Sequence, residues 1–272
     1  WMWGGADDDN AIATIHRALD LGINLVDTAP VYGFGHSEEI VGRALEGRRA
    51  DVLIATKAGL DWSKGRPRRN STPEHLRKEL EDSLRRLRTD VIDIYQIHWP
   101  DDATPIEVTA ETRDQVRREG KIRAIGVSNF DVAQMDRFRT AAPLATVQPP
   151  YTLYERGSET EVNPYSKSHG MAVLCYGALG RGLLTGKMTE NTTFEGDDLR
   201  KIDPKFKPNR RGQYLAAVAE LQSHAKDRFG QSILALAVRC ILDQGDTIAL
   251  WGARRPAQLD TVTDVMAWHI DE

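Results

Sequence analysis

Cysteine is nearly absent: Cys175 and Cys240 are the only two in 272 residues, and each lies in an apolar stretch. That excludes a disulfide-stapled scaffold and suits a reduced, cytoplasmic protein with both thiols in its core. Nothing positive supports a bond between them. Long apolar runs are also missing. None nears the roughly 20 residues that a membrane-spanning helix requires, and no secretory leader pattern is visible, so no membrane partner is expected. Charge of one sign is not in excess either; a net charge of −4 argues against nucleic acid as a partner. The seven histidines show neither His-x-His nor His-Glu-x-x-His spacing. A metal-dependent barrel hydrolase needs clustered ligands of that kind, so no metal is expected.

Apolar residues, by contrast, make up 40% of the chain, enough for a substantial core and against disorder. Helix-like and strand-like stretches alternate along it. Helical patterns cover residues 10–21, 37–45, 72–87, 105–119, 132–138, 159–169, 214–229, 232–242 and 255–266. Strand patterns cover 24–27, 52–56, 92–97, 124–127, 146–148, 171–176 and 247–250, with a long polar excursion at 177–209. This order predicts one α/β domain over residues 1–272 built from repeated βα units. A (β/α)8 barrel has eight strands, and seven are legible. The helix at residue 10 has no strand before it, because residues 1–5 are too short and glycine-rich to supply one. The reading is therefore a TIM barrel lacking its first strand, with C-terminal elements also expected to be missing.

The stretch at residues 24–33 organises the rest. An apolar run ends in Asp27, and a Pro/Gly turn then carries Tyr32. Other runs end likewise: 52–56 in Lys57, 92–97 in His98, and 124–127 in Ser128 and Asn129. Polar groups gathered at the carboxyl ends of parallel strands are how an α/β barrel builds a reaction site.

The four types suit one chemistry, the reduction of a carbonyl, which needs a hydride at carbon and a proton at oxygen. A phenol with its usual pKa near ~10 is a weak acid, and a neighbouring ammonium lowers that value. Lys57 can be that ammonium, Asp27 can hold it charged and in place, and His98 can donate a hydrogen bond to the carbonyl oxygen. Tyr32 is then the general acid. Taken singly, each has a plainer reading: a turn cap, a loop aromatic, a solvated charge and a satisfied core histidine. Four matching types on three strand ends, in this order, favour the site.

The motifs around these residues resemble those of the aldo-keto reductase family. Leu25-Val26-Asp27-Thr28-Ala29-Pro30-Val31-Tyr32-Gly33 with Ser37-Glu38 is similar to one family signature. Gly120 to Phe130 is similar to a second, Tyr176 to Lys187 to a third, and Gly252-Ala253-Arg254 with Gln258 to a fourth. The resemblance spans nearly the whole chain and is strongest to bacterial aldehyde reductases and general stress-protein-like members. It implies a barrel that binds NADPH (or NADP) in extended form without a Rossmann fold, in keeping with the lack of a G-x-G-x-x-G after a strand.

It also implies that Asp27, Tyr32, Lys57 and His98 form the catalytic tetrad, with Asp27 also beside the cofactor. Ser128, Asn129 and Gln148 would hold the nicotinamide carboxamide, and Tyr176 would stack on its ring. Gly177, Ala178, Leu179 and Arg181 would line the pyrophosphate, helped by Lys187 and Arg200. Gly252, Ala253, Arg254 and Gln258 would surround the adenosine 2′-phosphate and adenine. Independently, Arg254 and Arg255 before the last helical pattern are well placed for a phosphate dianion. Where the family often carries Glu-Asn, this chain has Thr261-Val262. The partner implied is a small carbonyl or polyol; the oligomeric state is open, with a monomer slightly favoured. An alternative of the same fold is a non-catalytic NADPH sensor. Trp1, Trp3, Trp62, Trp99 and Trp251 are candidates for an aromatic substrate pocket, and residues 64–69 for a solvated basic loop.

Overall fold

A computed structural model describes residues 7–270. Helix α1 (Asp8–Asp20) starts where the Asp7 carboxylate accepts the Asn10 N–H, and it leads into strand β1 (Leu25–Asp27). Helix α2 (His36–Ala44) and strand β2 (Leu53–Ala58) follow, then a small ribbon of β3 (Leu60–Asp61) and β4 (Arg68–Arg69). Helix α3 (Pro73–Leu87) opens with proline in its first turn, where a missing N–H costs nothing. Strand β5 (Ile92–Ile97), helix α4 (Ile106–Arg118), strand β6 (Ile122–Ser128) and helix α5 (Val132–Arg139) continue the alternation. The Asp131–Gln134 capping box starts α5 by satisfying two N–H groups reciprocally. Strand β7 (Thr146–Gln148), helix α6 (Val162–Ser168), strand β8 (Ala172–Cys175), helices α7 (Pro208–Phe229) and α8 (Ile233–Leu242) and strand β9 (Thr247–Ala249) complete the described elements.

The seven main strands form one parallel sheet in the order β1-β2-β5-β6-β7-β8-β9. Sequential order with every pair parallel is the barrel arrangement, and the curled sheet is a (β/α)8 barrel less one strand. Its two edges, β1 and β9, do not pair, but the helical layer outside them meets: α1 packs on a short 3-10 turn at Pro256–Leu259, and Arg17 reaches Asp260 at 3.0 Å. The absence of a strand from residues 1–5 was expected, and those residues lie outside the described range. No described helix is long and apolar enough to cross a membrane.

The main core lies between the outer faces of the strands and the helices, with Ile54, Leu76, Leu80, Ile92, Ile97 and Val127 almost fully buried. A second cluster of Leu183, Leu184, Phe206, Val218 and Ile233 stabilises the polar excursion from beneath. That excursion carries short 3-10 turns, and α7 begins at Pro208, earlier than the apolar pattern predicts.

Two further differences have local causes. The basic loop at 64–69 is in part a hairpin: β3 and β4 pair antiparallel, with Gly65 at φ 86° in the turn between them. The helix expected at 255–266 is instead two 3-10 turns, Pro256–Leu259 and Val262–Val265. Thr261, Val262 and Thr263 are β-branched and resist helix propagation, and the Gln258 side chain accepts the Arg254 N–H at 2.7 Å.

Candidate active site

Parallel register sets the site. Asp27 is opposite Ala55, Lys57 opposite Gln96, and Ser128 opposite Gln148, so the carboxyl ends of neighbouring strands stand at one level. Side chains alternate along a strand. Leu53, Ala55 and Lys57 therefore share the inner face of β2, while Thr56 points outward to the helices.

Lys57 is 1% exposed. Its ammonium donates to Asp27 Oδ2 at 2.7 Å and to the Thr28 carbonyl at 3.0 Å. It also stands 5.2 Å from the centre of the Tyr32 ring. Burial acts to discharge Lys57, but the Asp27 carboxylate and the Tyr32 oxygen outweigh it, and the pKa lies above the ordinary lysine value. The amine is therefore a cation at physiological pH.

Tyr32 sits in a tight turn, closed by Tyr32 N–H to the Ala29 carbonyl at 3.0 Å and by Gly35 N–H to the Pro30 carbonyl at 2.6 Å. Gly33 and Gly35 take φ of 63° and 104°, and Phe34 takes 54°. The ammonium's pull on the phenol has the expected sign, but it does not win. Burial raises the Tyr32 pKa, Asp27 adds to that, and Lys57 offsets only part. The Tyr32 phenol is thus neutral, not a phenolate.

His98 follows β5, and its ring meets the Tyr32 ring edge-on, with centroids 5.9 Å apart and planes at 85°. Burial and the Lys57 charge push its pKa down to about 3. A neutral imidazole can donate one hydrogen bond without adding charge. Its backbone is pinned on both sides: the N–H donates to the Ala58 carbonyl at 2.8 Å, and the carbonyl accepts from Asn129 Nδ2 at 3.0 Å.

The candidate nicotinamide residues are close by. Asn129 has φ 61° and accepts from the Tyr176 hydroxyl at 2.9 Å. Burial lifts the Tyr176 phenol to about 12, so it too stays neutral. Ser128 Oγ donates to the Gln148 carbonyl at 2.9 Å. Gln148 Nε2 donates to Asp27 Oδ1 at 2.9 Å, which places Gln148 on the Asp27–Lys57 pair. Gln96 completes this group, with its Nε2 at 3.5 Å from the same oxygen. Sequence reasoning passed over Gln96, although it stands two residues before His98 on one strand face.

The remaining candidates lie along the excursion and the last turn. Gly177, Gly180, Arg181 and Gly182 all have positive φ. The turn is closed internally, with the Gly180 N–H donating to the Gly177 carbonyl at 2.7 Å and the Gly182 N–H to the Leu179 carbonyl at 2.9 Å. Ala178 and Leu179 are buried. The Arg181 guanidinium pairs with Asp203, and Arg200 forms a two-point contact with Asp198, at 2.6 Å and 2.9 Å. Lys187 is exposed. Arg200 holds the Asp198 carboxyl below its usual range, and the Arg254 charge acts in the same direction. Gly252 has open space where a Cβ would stand, Ala253 is half-buried, and Arg254 and Gln258 are exposed. The open Gly252 and the arginines of these two turns are the candidate groups for a dinucleotide phosphate.

At the mouth, Phe34 packs against Trp62 at 5.9 Å and Arg69 covers Trp99 at 5.6 Å. Trp251 packs with the Leu179–Val238 cluster, and Trp1 and Trp3 lie outside the described residues. Among the described residues no group of three or more His, Cys, Asp or Glu is placed to hold a metal.

The aldo/keto reductase family profile matches residues 1–272. The chain belongs to that family of oxidoreductases. It is 55% identical to aldo-keto reductase YhdN of Bacillus subtilis (strain 168), over 99% of this chain and 82% of the relative. It is 36% identical to the NADH-specific methylglyoxal reductase of Escherichia coli (strain K12), over 94% of this chain and 83% of that protein. Among solved structures, the glycerol dehydrogenase AKR11B4 from Gluconobacter oxydans superposes with a TM-score of 0.91 at 57% identity, covering 100% of this chain and 84% of the other. An aldo-keto reductase from Klebsiella pneumoniae in complex with NADPH superposes with a TM-score of 0.79 at 25% identity, covering 100% and 84%.

Proposed function

We propose that this reductase converts small aldehydes and ketones to alcohols with NADPH, and runs the reverse reaction on small polyols. The observation that carries the proposal is the Lys57 ammonium, buried against Asp27 at 2.7 Å and 5.2 Å from the ring of Tyr32. The glycerol dehydrogenase and methylglyoxal reductase relatives both act on small oxygenated molecules, which supports the substrate class.

When bound, NADPH supplies the hydride to the carbonyl carbon. The chain supplies the rest. Tyr32 breaks its O–H bond and gives the proton to the carbonyl oxygen. The phenolate left behind lies beside Lys57, whose positive charge lowers its energy, and Asp27 keeps that charge in place. His98, neutral, donates a hydrogen bond to the same oxygen and orients it. Ser128, Asn129, Gln148 and Tyr176 would hold the nicotinamide end. The turn at Gly177, Ala178, Leu179 and Arg181 and the side chains of Lys187, Arg200 and Arg254 would line the phosphates, with Gly252, Ala253 and Gln258 around the adenosine. The raised Tyr32 pKa suits the reducing direction, which starts from protonated phenol.

The test is a screen of small aldehydes, ketones and polyols against NADPH/NADP and NADH/NAD, read as cofactor absorbance. Turnover of aldehydes with NADPH is expected. Tight NADPH binding with no turnover of any carbonyl would overturn the proposal in favour of a sensor.

A further inference from the structure

We infer that the buried Glu38–Arg86 ion pair, with Thr56, is a positioning device that fixes the Tyr32 turn relative to Lys57. The inference rests on the assignment of Tyr32 and Lys57 just made. Glu38 is 0% exposed. One carboxylate oxygen accepts from the Thr56 hydroxyl at 2.7 Å, and the other accepts from Arg86 Nε at 2.7 Å. Thr56 is the residue immediately before Lys57, and its side chain leaves the opposite face of β2. Holding that hydroxyl fixes the strand's rotation, and so fixes where the Lys57 amine points.

Arg86 does the same for Tyr32. Its side chain lies directly under Gly35, where an added Cβ would stand 3.0 Å from Arg86 Cδ and 3.4 Å from Nε. Gly35 is at φ 104° and closes the Tyr32 turn through its bond to the Pro30 carbonyl. One guanidinium therefore supports the turn from below and, through Glu38, holds the strand beside it. The frame behind it is stiff: α2 and α3 approach so closely at Gly42 that a Cβ there would overlap the Arg86 carbonyl oxygen.

The energetics favour this reading. Burial pushes the Glu38 carboxyl up, and Arg86 and Thr56 offset it only in part. A buried ion pair often adds no stability over apolar residues of the same shape, and its better-attested use is to specify geometry. Glu38, Thr56 and Arg86 are positioning residues: they reach the reacting atoms only through Lys57 and the Tyr32 turn.

The experiment uses the full chain. Thr56→Val removes the hydroxyl at nearly constant shape, Thr56→Ser restores it, and Arg86→Lys keeps the charge but loses the Nε that donates to Glu38 and lies under Gly35. Carbonyl reduction, NADPH affinity by fluorescence, the pH profile of polyol oxidation and a crystal structure are measured for each. For Thr56→Val and Arg86→Lys, kcat should fall about 10- to 100-fold, the cost of misplacing a reacting group by about 1 Å. KM and NADPH affinity should stay within about twofold, because neither contact touches a ligand. Weaker contact with Lys57 should raise the phenol pKa and move the acidic limb of polyol oxidation to higher pH. Thr56→Ser should match wild type, and the crystal structures of the other two should show Lys57 Nζ or the Tyr32 turn displaced. Unchanged kcat and pH profile, or a loss of activity with both groups in place, would overturn the inference. Tyr32→Phe runs alongside: its full activity would refute the site assignment itself. If no carbonyl is turned over at all, the displacement in the crystal structures decides the positioning role alone.

Discussion

Lys57 and Asp27 meet at 2.7 Å with side chains 1% and 14% exposed, joining two neighbouring strands inside the barrel. Gln148 holds the second Asp27 oxygen at 2.9 Å, and the Thr28 carbonyl takes another ammonium hydrogen at 3.0 Å. An ion pair so enclosed fixes direction as well as charge, and it leaves the ammonium facing Tyr32.

Removing one partner should therefore be costly. Asp27→Ala strands an ammonium in a low-dielectric site, and the expected loss is about 3–5 kcal/mol. Urea unfolding measures it. A loss below about 1 kcal/mol would place the pair with weak surface bridges.

His98 makes stability depend on pH in a definite direction. Its folded-state pKa of about 3 lies below the ordinary ~6.5, so between those values the unfolded chain binds the proton more readily. The contribution of the neutral ring is complete above pH ~6.5 and is lost as the pH falls toward 3. Unfolding free energy of wild type should thus drop more steeply from pH 6.5 to 4.5 than that of His98→Gln, by at most about 1.4 kcal/mol per pH unit. Parallel slopes would contradict the burial of a neutral imidazole.

In the proposed binding of NADPH, Arg254 is the residue that separates it from NADH. Its charge acts on Asp198, the partner of Arg200, and it lies two residues after the open Gly252. Arg254→Ala should weaken NADPH about tenfold and NADH by less than about twofold, since an arginine–phosphate contact is charge-assisted. Dissociation constants by fluorescence titration check this, and equal losses would remove Arg254 from phosphate recognition.

Gly42 tests the frame behind the site. A Cβ there would stand 2.9 Å from the Leu87 carbonyl carbon, which belongs to the backbone of α3. Gly42→Ala should destabilise by about 2–3 kcal/mol through overpacking, read as a lower urea midpoint. An unchanged midpoint would mean that α2 and α3 can part without loss.

The strand ends were legible because each joins an apolar run to a single polar residue: Asp27, Lys57 and His98 all lie where that pattern puts them. Parallel strands in order need no further information to bring those ends together. The hairpin at Leu60–Arg69 was not legible, because its strands are two residues each and rich in charge. The final helical pattern failed at 261–263, where β-branched residues stop a helix that apolar spacing alone would continue. The pairing of Arg181 with Asp203 and of Arg200 with Asp198 could not be read, since it depends on how the excursion folds back on itself. The balance on Tyr32 was also hidden. Proximity to Lys57 suggests a lowered pKa, but burial outweighs the charge, and burial is a property of the packed turn.

The most direct measurement is the turnover of Tyr32→Phe on a small aldehyde with NADPH, beside its NADPH affinity. The phenol oxygen is the only atom removed, and general acid catalysis of this kind contributes roughly 10²- to 10⁴-fold. The predicted result is a loss of kcat of that size or greater with NADPH binding intact. A Tyr32→Phe enzyme with wild-type kcat would show that the proton comes from elsewhere.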